Sequence, residues 1–171
     1  FFLHESLTDE QRAIFFVVAE YLELMTDIRF EEEASDGPGV LVIRQNGPDT
    51  DWSHYGARTV KWSDDSPGTL LHEITHGLGF AHEHQRSDRD ESVTVSIGNV
   101  KVFERGNYFI AAQGRTVGDF DFDSVMLYSS CSFTFDALDV ACRNQDETAA
   151  AILRNDPNPL TGSRFIPSQG D

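Results

Sequence analysis

Within the eleven residues 72–82 the chain carries His72, Glu73, His76, Gly79 and His82, residue types that can hold a metal and activate water. On an α-helix each residue advances by about 100°, so His72 and His76, four apart, face one side and can grip one ion. Zinc favours tetrahedral nitrogen ligation, and a catalytic zinc takes three protein ligands and leaves its fourth corner to water. His82 is the candidate third ligand, yet a straight helix would carry it about 9 Å along the axis from His76. The helix must therefore break, and Gly79 can adopt positive φ without steric cost. Glu73 follows His72 but lies about 100° round the helix, which suits it to reach a metal-bound water as general base rather than to ligate. Zinc lowers the pKa of its water toward about 7, so the chemistry implied is hydrolysis of a polarised carbonyl. His-Glu-x-x-His alone is a common helical pattern; Gly79 and His82 at the required offsets make it specific. The bland alternative is a site that binds zinc and catalyses nothing.

The elements that must position these groups are legible in outline. Thr8 can cap a helix whose first turn carries Asp9 and Glu10, and Ile14, Val17, Val18, Tyr21, Leu22 and Met25 recur at helical spacing, predicting a helix over residues 8–25 with those residues on its buried side. Residues 28–30, 40–43 (after the Asp36–Gly39 turn) and 59–62 (after Gly56) read as strands of one sheet, and residues 1–4 could add a truncated strand. A second helix over residues 69–80 is entered from the Ser66-Pro67-Gly68 turn and ends at Gly77 or Gly79. Beyond it the patterns weaken: a short strand or turn within 93–100, a short helix within 102–112, and otherwise loop.

With 171 residues the chain is sized for one domain, and 39% hydrophobic residues plus 13 glycines place it among folded globular proteins. Twenty-nine acidic against 13 basic residues give a net charge of -16, which repels phosphate backbones and anionic lipids and argues against nucleic-acid or membrane partners. The apolar runs are too short to span a bilayer. This acidity suits a secreted protein, and because Phe1 is not an initiator Met the chain reads as a processed or trimmed form. In an exported protein Cys131 and Cys142 are expected to form a disulfide worth about 2–3 kcal/mol, the alternative being two buried thiols.

The run HEITHGLGFAHEHQRSDRD over residues 72–90 resembles the astacin family of zinc metallopeptidases in the metzincin clan. The match extends to Glu83 after the third histidine and to Arg86, Asp88, Arg89 and Asp90. A second segment, DFDSVMLYS, is similar to the family's Met-turn through Ser124, Met126 and Tyr128. The resemblance implies an α+β fold: an N-terminal mixed twisted sheet with two long helices, an irregular C-terminal subdomain, and an active-site cleft between them. Residues 1–171 then form one catalytic domain, with an upper part of about 1–82 and a lower part of about 83–171. It implies a zinc-dependent endopeptidase with Zn2+ on His72, His76 and His82, a protein or peptide substrate and a propeptide in the precursor. Met126 becomes an apolar floor beneath the histidines, and Tyr128 a movable ligand that turns to the oxyanion. Thr59, Val60, Lys61 and Trp62 become an edge strand that pairs antiparallel with an extended substrate. Arg143 falls where relatives often carry a basic residue that favours acidic side chains after the scissile bond. The rival readings are an inactive zinc-containing module that binds polypeptides, and a protease with a downstream Glu as third ligand.

Departures from the family pattern are equally visible. Leu127 stands where many relatives have His, and the two cysteines do not match the usual pair of disulfides. The chain begins a few residues before its first helix, which puts in doubt a contact between a freed amino group and Glu83. It ends at residues 168–171, which resemble the beginning of the closing helix, so both termini look truncated. Other features read plainly: Phe120 and Phe122 alternate with Asp119, Asp121 and Asp123 as a strand-like segment with rings inward rather than a calcium loop, and Glu31–Glu33 as a solvated strand end. His4, His54 and His84 read as surface or hydrogen-bonded histidines.

Overall fold

Thr8 caps the first helix as its sequence requires: its hydroxyl accepts from the Gln11 N–H and the Gln11 side chain accepts from the Thr8 N–H, both at 3.1 Å. The computed structural model describes residues 1–39, 41–45, 58–62, 64–112 and 114–156. The expectations for Val40, His54, Gly56 and residues 168–171 lie outside the described residues. The chain divides into two compact units, Phe1–Phe80 and Ala81–Asp171.

In the first unit, strand β1 (Phe2–Leu3) is followed by helix α1 (Asp9–Met25), β2 (Val42–Gln45), β3 (Thr59–Trp62) and helix α2 (Pro67–Gly77). The described strands form one sheet in the order β1-β2-β3, both pairings parallel, with Phe2 opposite Val42 and Val42 opposite Thr59. Helix α1 buries Gln11, Phe15, Val18, Ala19 and Leu22. That stripe is rotated from the expected one: Val17 and Met25 are 62% and 60% exposed. Phe15 sets the rotation, because its ring is fully buried and packs 4.6 Å from Phe1 and 6.0 Å from Phe30. Residues 28–30 are not a strand; the Phe30 N–H is taken by the Glu23 carboxylate at 2.6 Å, a local acceptor that replaces a ladder partner.

Helix α2 is anchored at its start. Ser66 caps it by accepting from the Thr69 N–H at 3.2 Å, and Pro67 occupies the first turn, where its missing N–H costs nothing. The Asp64 carboxylate accepts from Trp62 Nε1, the Ser66 N–H and the Thr69 hydroxyl at 2.9, 3.0 and 2.7 Å, tying the end of β3 to the beginning of α2. Helix α2 packs on β3 and α1, and Leu70, Leu71 and Ile74 are buried with Val60 and Trp62. At about 25 cal/mol per Å2, each such side chain contributes roughly 1.5–3 kcal/mol.

The second unit has little regular structure. Strands β4 (Val93–Val95) and β5 (Ile152–Arg154) pair antiparallel, and helix α3 (Asp136–Arg143) lies between them in sequence. The short helix expected within 102–112 is a 3-10 segment, Val102–Tyr108, and further 3-10 turns occupy Glu83–Gln85, Arg89–Glu91, Ile97–Asn99 and Glu147–Ala149. Residues 119–123 form turns rather than a strand, although Phe120 and Phe122 do pack inward on the buried cluster of Val93, Val100, Tyr108, Tyr128, Ala151 and Ile152. Cys131 and Cys142 are joined in a disulfide that ties α3 to the segment after Tyr128. Side chains satisfy the backbone where ladders are missing: Asn99 donates to the carbonyls of Thr148 and Ala150, and Arg86 to those of Val117, Gly118 and Asp119.

Candidate metal centre and active site

His72, Glu73 and His76 lie on α2, 2%, 4% and 5% exposed. The two imidazoles meet edge to face with centroids 4.7 Å apart, the result of their one-turn spacing. Beyond His76 the helix stops in a Schellman motif: the Gly79 N–H returns to His76 O at 2.9 Å and the Phe80 N–H to Thr75 O at 3.1 Å, with Gly79 at φ 103°. A Cβ on Gly79 would meet nothing within 4 Å, so its dihedral rather than space calls for glycine.

The turn delivers His82. One ligand atom each from His72, His76 and His82 lie within 4.8 Å of one another. Imidazole nitrogens sit about 2.0–2.1 Å from zinc, so tetrahedral ligation puts two of them about 3.4 Å apart, and the cluster would have to close by up to about 1.4 Å on one ion. The outer ring nitrogens are held for this purpose. Phe80 O lies 2.8 Å from His76 Nδ1, and Gln85 Oε1 lies 3.2 Å from His82 Nδ1. Both oxygens accept, so each Nδ1 carries the proton and Nε2 keeps its lone pair for a metal. The donor set therefore fits zinc.

Glu83 knits the His82 segment to the Met126 segment. Its N–H donates to Met126 O at 3.0 Å, and its carboxylate accepts from the Asp121 N–H at 2.9 Å and from Arg86 Nη1 at 3.0 Å. Burial pushes the Glu83 carboxyl above its usual range, while the Asp121 and Arg86 hydrogen bonds pull the other way. Arg86 also grips Asp88 through two hydrogen bonds of 3.0 Å, which hold the Asp88 carboxyl below its usual range. Arg89 donates to His84 O at 2.8 Å and to Tyr108 O.

Met126 is 4% exposed and its N–H donates to the Ser124 hydroxyl at 3.0 Å. Tyr128, 7% exposed, packs its ring 4.3 Å from that of His82. In the position where many relatives carry His, Leu127 is buried at 1% exposure. In β3, Val60 and Trp62 are fully buried while Thr59 and Lys61 are partly exposed, and β3 is the terminal strand of the described sheet. Arg143 stands exposed in the last turn of α3, paired with Asp139 at 2.8 Å. His84 is fully buried and hydrogen-bonded to Asn107 O at 3.0 Å, so of the two forms expected, surface or hydrogen-bonded, it takes the second. Gln85 was overlooked by sequence reasoning; the signal available was its place three residues after His82, the spacing of a capping side chain.

A helix bearing two histidines, ended by a glycine so that a third joins them on an α+β scaffold, defines the three-histidine zinc-site class of fold. The model of the Astacin peptidase family matches residues 1–156, and the chain belongs to that family. Astacin-like metalloprotease toxin 5 of Loxosceles gaucho is 45% identical over 71 residues, covering 40% of this chain and 38% of the toxin. Tolloid-like protein 2 of Homo sapiens is 30% identical over 178 residues, covering 97% of this chain and 17% of that protein. The chain thus spans well under two thirds of the length of these relatives. Among solved structures, high choriolytic enzyme 1, a hatching enzyme zinc-protease from Oryzias latipes, superposes with a TM-score of 0.78 at 21% identity, covering 98% of this chain and 82% of that one. This likeness establishes the fold.

Proposed function

We propose that the chain is the catalytic domain of a zinc-dependent endopeptidase that hydrolyses peptide bonds in extended polypeptides. The observation that carries this reading is the convergence of His72, His76 and His82 beside a buried Glu73 on the same helix. Zinc held by His72, His76 and His82 would acidify a water and polarise the scissile carbonyl. Glu73 would take the proton of that water and return it to the leaving amine. Tyr128, whose ring packs tilted against that of His82, offers its phenol to the charge that develops on the carbonyl oxygen. Met126 floors the site, and β3 offers main-chain pairing to the substrate through residues 59–62, a mode with little sequence demand. Arg143 is a candidate for favouring acidic residues after the cut bond.

We further infer a secreted protein made with a propeptide, with polypeptides rather than nucleic acid or membranes as partners. The charge of -16 supports this, and no described helix is long and apolar enough to cross a membrane. The test is Glu73→Gln. We expect casein cleavage to fall by at least about a thousandfold while elemental analysis still finds one zinc per chain, and a chelator to abolish cleavage by the parent chain. Retained cleavage in Glu73→Gln removes Glu73 from its role. A parent chain that holds zinc and cuts nothing is instead a zinc-containing polypeptide-binding module.

A further inference from the structure

His84 is a fully buried polar ring two residues beyond the third zinc ligand, and no step of the reaction described so far uses it. Burying an imidazole costs free energy that a leucine of similar volume would avoid, so its retention calls for something a leucine cannot do. Its Nε2 lies 3.0 Å from Asn107 O, and because a carbonyl only accepts, Nε2 carries the hydrogen and the ring orientation is set. Asn107 O also accepts from Gln85 Nε2 at 3.1 Å, and Gln85 is the residue that holds His82 Nδ1. One carbonyl therefore anchors both residues that support His82.

The ring faces show what that anchoring fixes. His84 stacks on His82 with centroids 5.1 Å apart and planes only 20° from parallel, and it packs 4.4 Å from Tyr128. Tyr128 in turn lies 4.3 Å from His82, so the three rings touch pairwise. Tyr108 backs His84 at 5.3 Å, and its hydroxyl donates to Ser132 O. A ring that rests on two others at once restricts the tilt of both, which a flexible aliphatic chain does not.

We propose that His84 is a positioning residue that aligns the Tyr128 ring against the zinc ligand His82. The proposal deepens the peptidase reading, in which Tyr128 acts on the developing oxyanion, and rests on it. The test is a double-mutant cycle in the full chain, using His84→Leu, His84→Phe and Tyr128→Phe, with steady-state kinetics on a quenched fluorescent peptide and chelator-competition zinc titration. We expect His84→Leu to lower kcat about tenfold or more with little change in KM and to weaken zinc binding about tenfold. His84→Phe, which keeps a ring on both neighbours, should recover part of each loss. In the Tyr128→Phe background the same His84→Leu change should cost less than about twofold in kcat, because the group it aligns is already gone. Equal kcat losses in both backgrounds, or parental zinc affinity in His84→Leu, overturn the proposal. If His84→Leu does not fold, His84→Gln, which keeps a donor but no ring, replaces it under the same criteria. A parent chain that binds zinc but cuts no peptide sinks the peptidase reading separately, and the zinc titration still judges His84.

Discussion

The side-chain oxygen of Gln85 lies 3.2 Å from both the backbone nitrogen and Nδ1 of His82. Its amide nitrogen donates to Asn107 O, which fixes the orientation of the carboxamide, so His82, the candidate third ligand, is held from behind by an oriented acceptor. Outer partners of this kind are typically worth about 10–100-fold in metal affinity. Gln85→Ala is therefore expected to weaken zinc binding by that factor in a chelator competition, with the secondary structure seen by circular dichroism unchanged. Unaltered affinity would mean that the 3-10 turn alone orients His82.

Gly79 at φ 103° terminates α2 with open space around it. Alanine there meets no clash and is penalised only by its dihedral, a cost of about 1–2 kcal/mol. Gly79→Ala should lower the urea midpoint accordingly and reduce zinc affinity, since the turn delivers His82. Gly106→Ala, also in open space but without positive φ, is the matched control and should be close to neutral.

Arg86 is 11% exposed and joins Glu83, Asp88 and the carbonyls of residues 117–119. Removing one partner of a largely buried ion pair leaves the other uncompensated, at about 3–5 kcal/mol. Arg86→Leu should be destabilised by that much in chemical denaturation. Arg86→Lys should be only partly better, because an ammonium cannot reproduce the fork on Asp88. A loss below about 1 kcal/mol would show that Arg86 does not hold the segment after residue 116.

The Cys131–Cys142 disulfide closes a short loop, with a sequence separation of 11. Loop-closure entropy sets its contribution at about 2–3 kcal/mol. The paired Cys131→Ser, Cys142→Ser variant should lose that stability in urea, and hydrogen exchange should rise first in α3. Protection of α3 at the parental level would show that packing of Leu138 and Ala141 holds the helix without the covalent tie.

The two helices that matter for the site could be read from the chain because their signals act within a turn. Thr8 and Gln11 form a capping box, Ser66 and Pro67 open α2, and Gly79 closes it. Helix α3 gave no such signal: eight residues behind Phe135, which contributes no side-chain cap, present barely two turns of pattern. The same limit explains residues 28–30, whose β-like composition was outweighed by a carboxylate seven residues upstream.

By itself, then, the chain determined which three histidines come together, their order and the glycine break, since 3.6-residue periodicity and the dihedral freedom of glycine are local properties of the polypeptide. It did not determine which stripe of α1 is buried, that His84 would lie between His82 and Tyr128, or that Arg86 would capture carbonyls more than thirty residues away. Those were decided in the tertiary structure, because contacts between groups so far apart in sequence exist only once packing has brought them together and removed the water that would otherwise satisfy them.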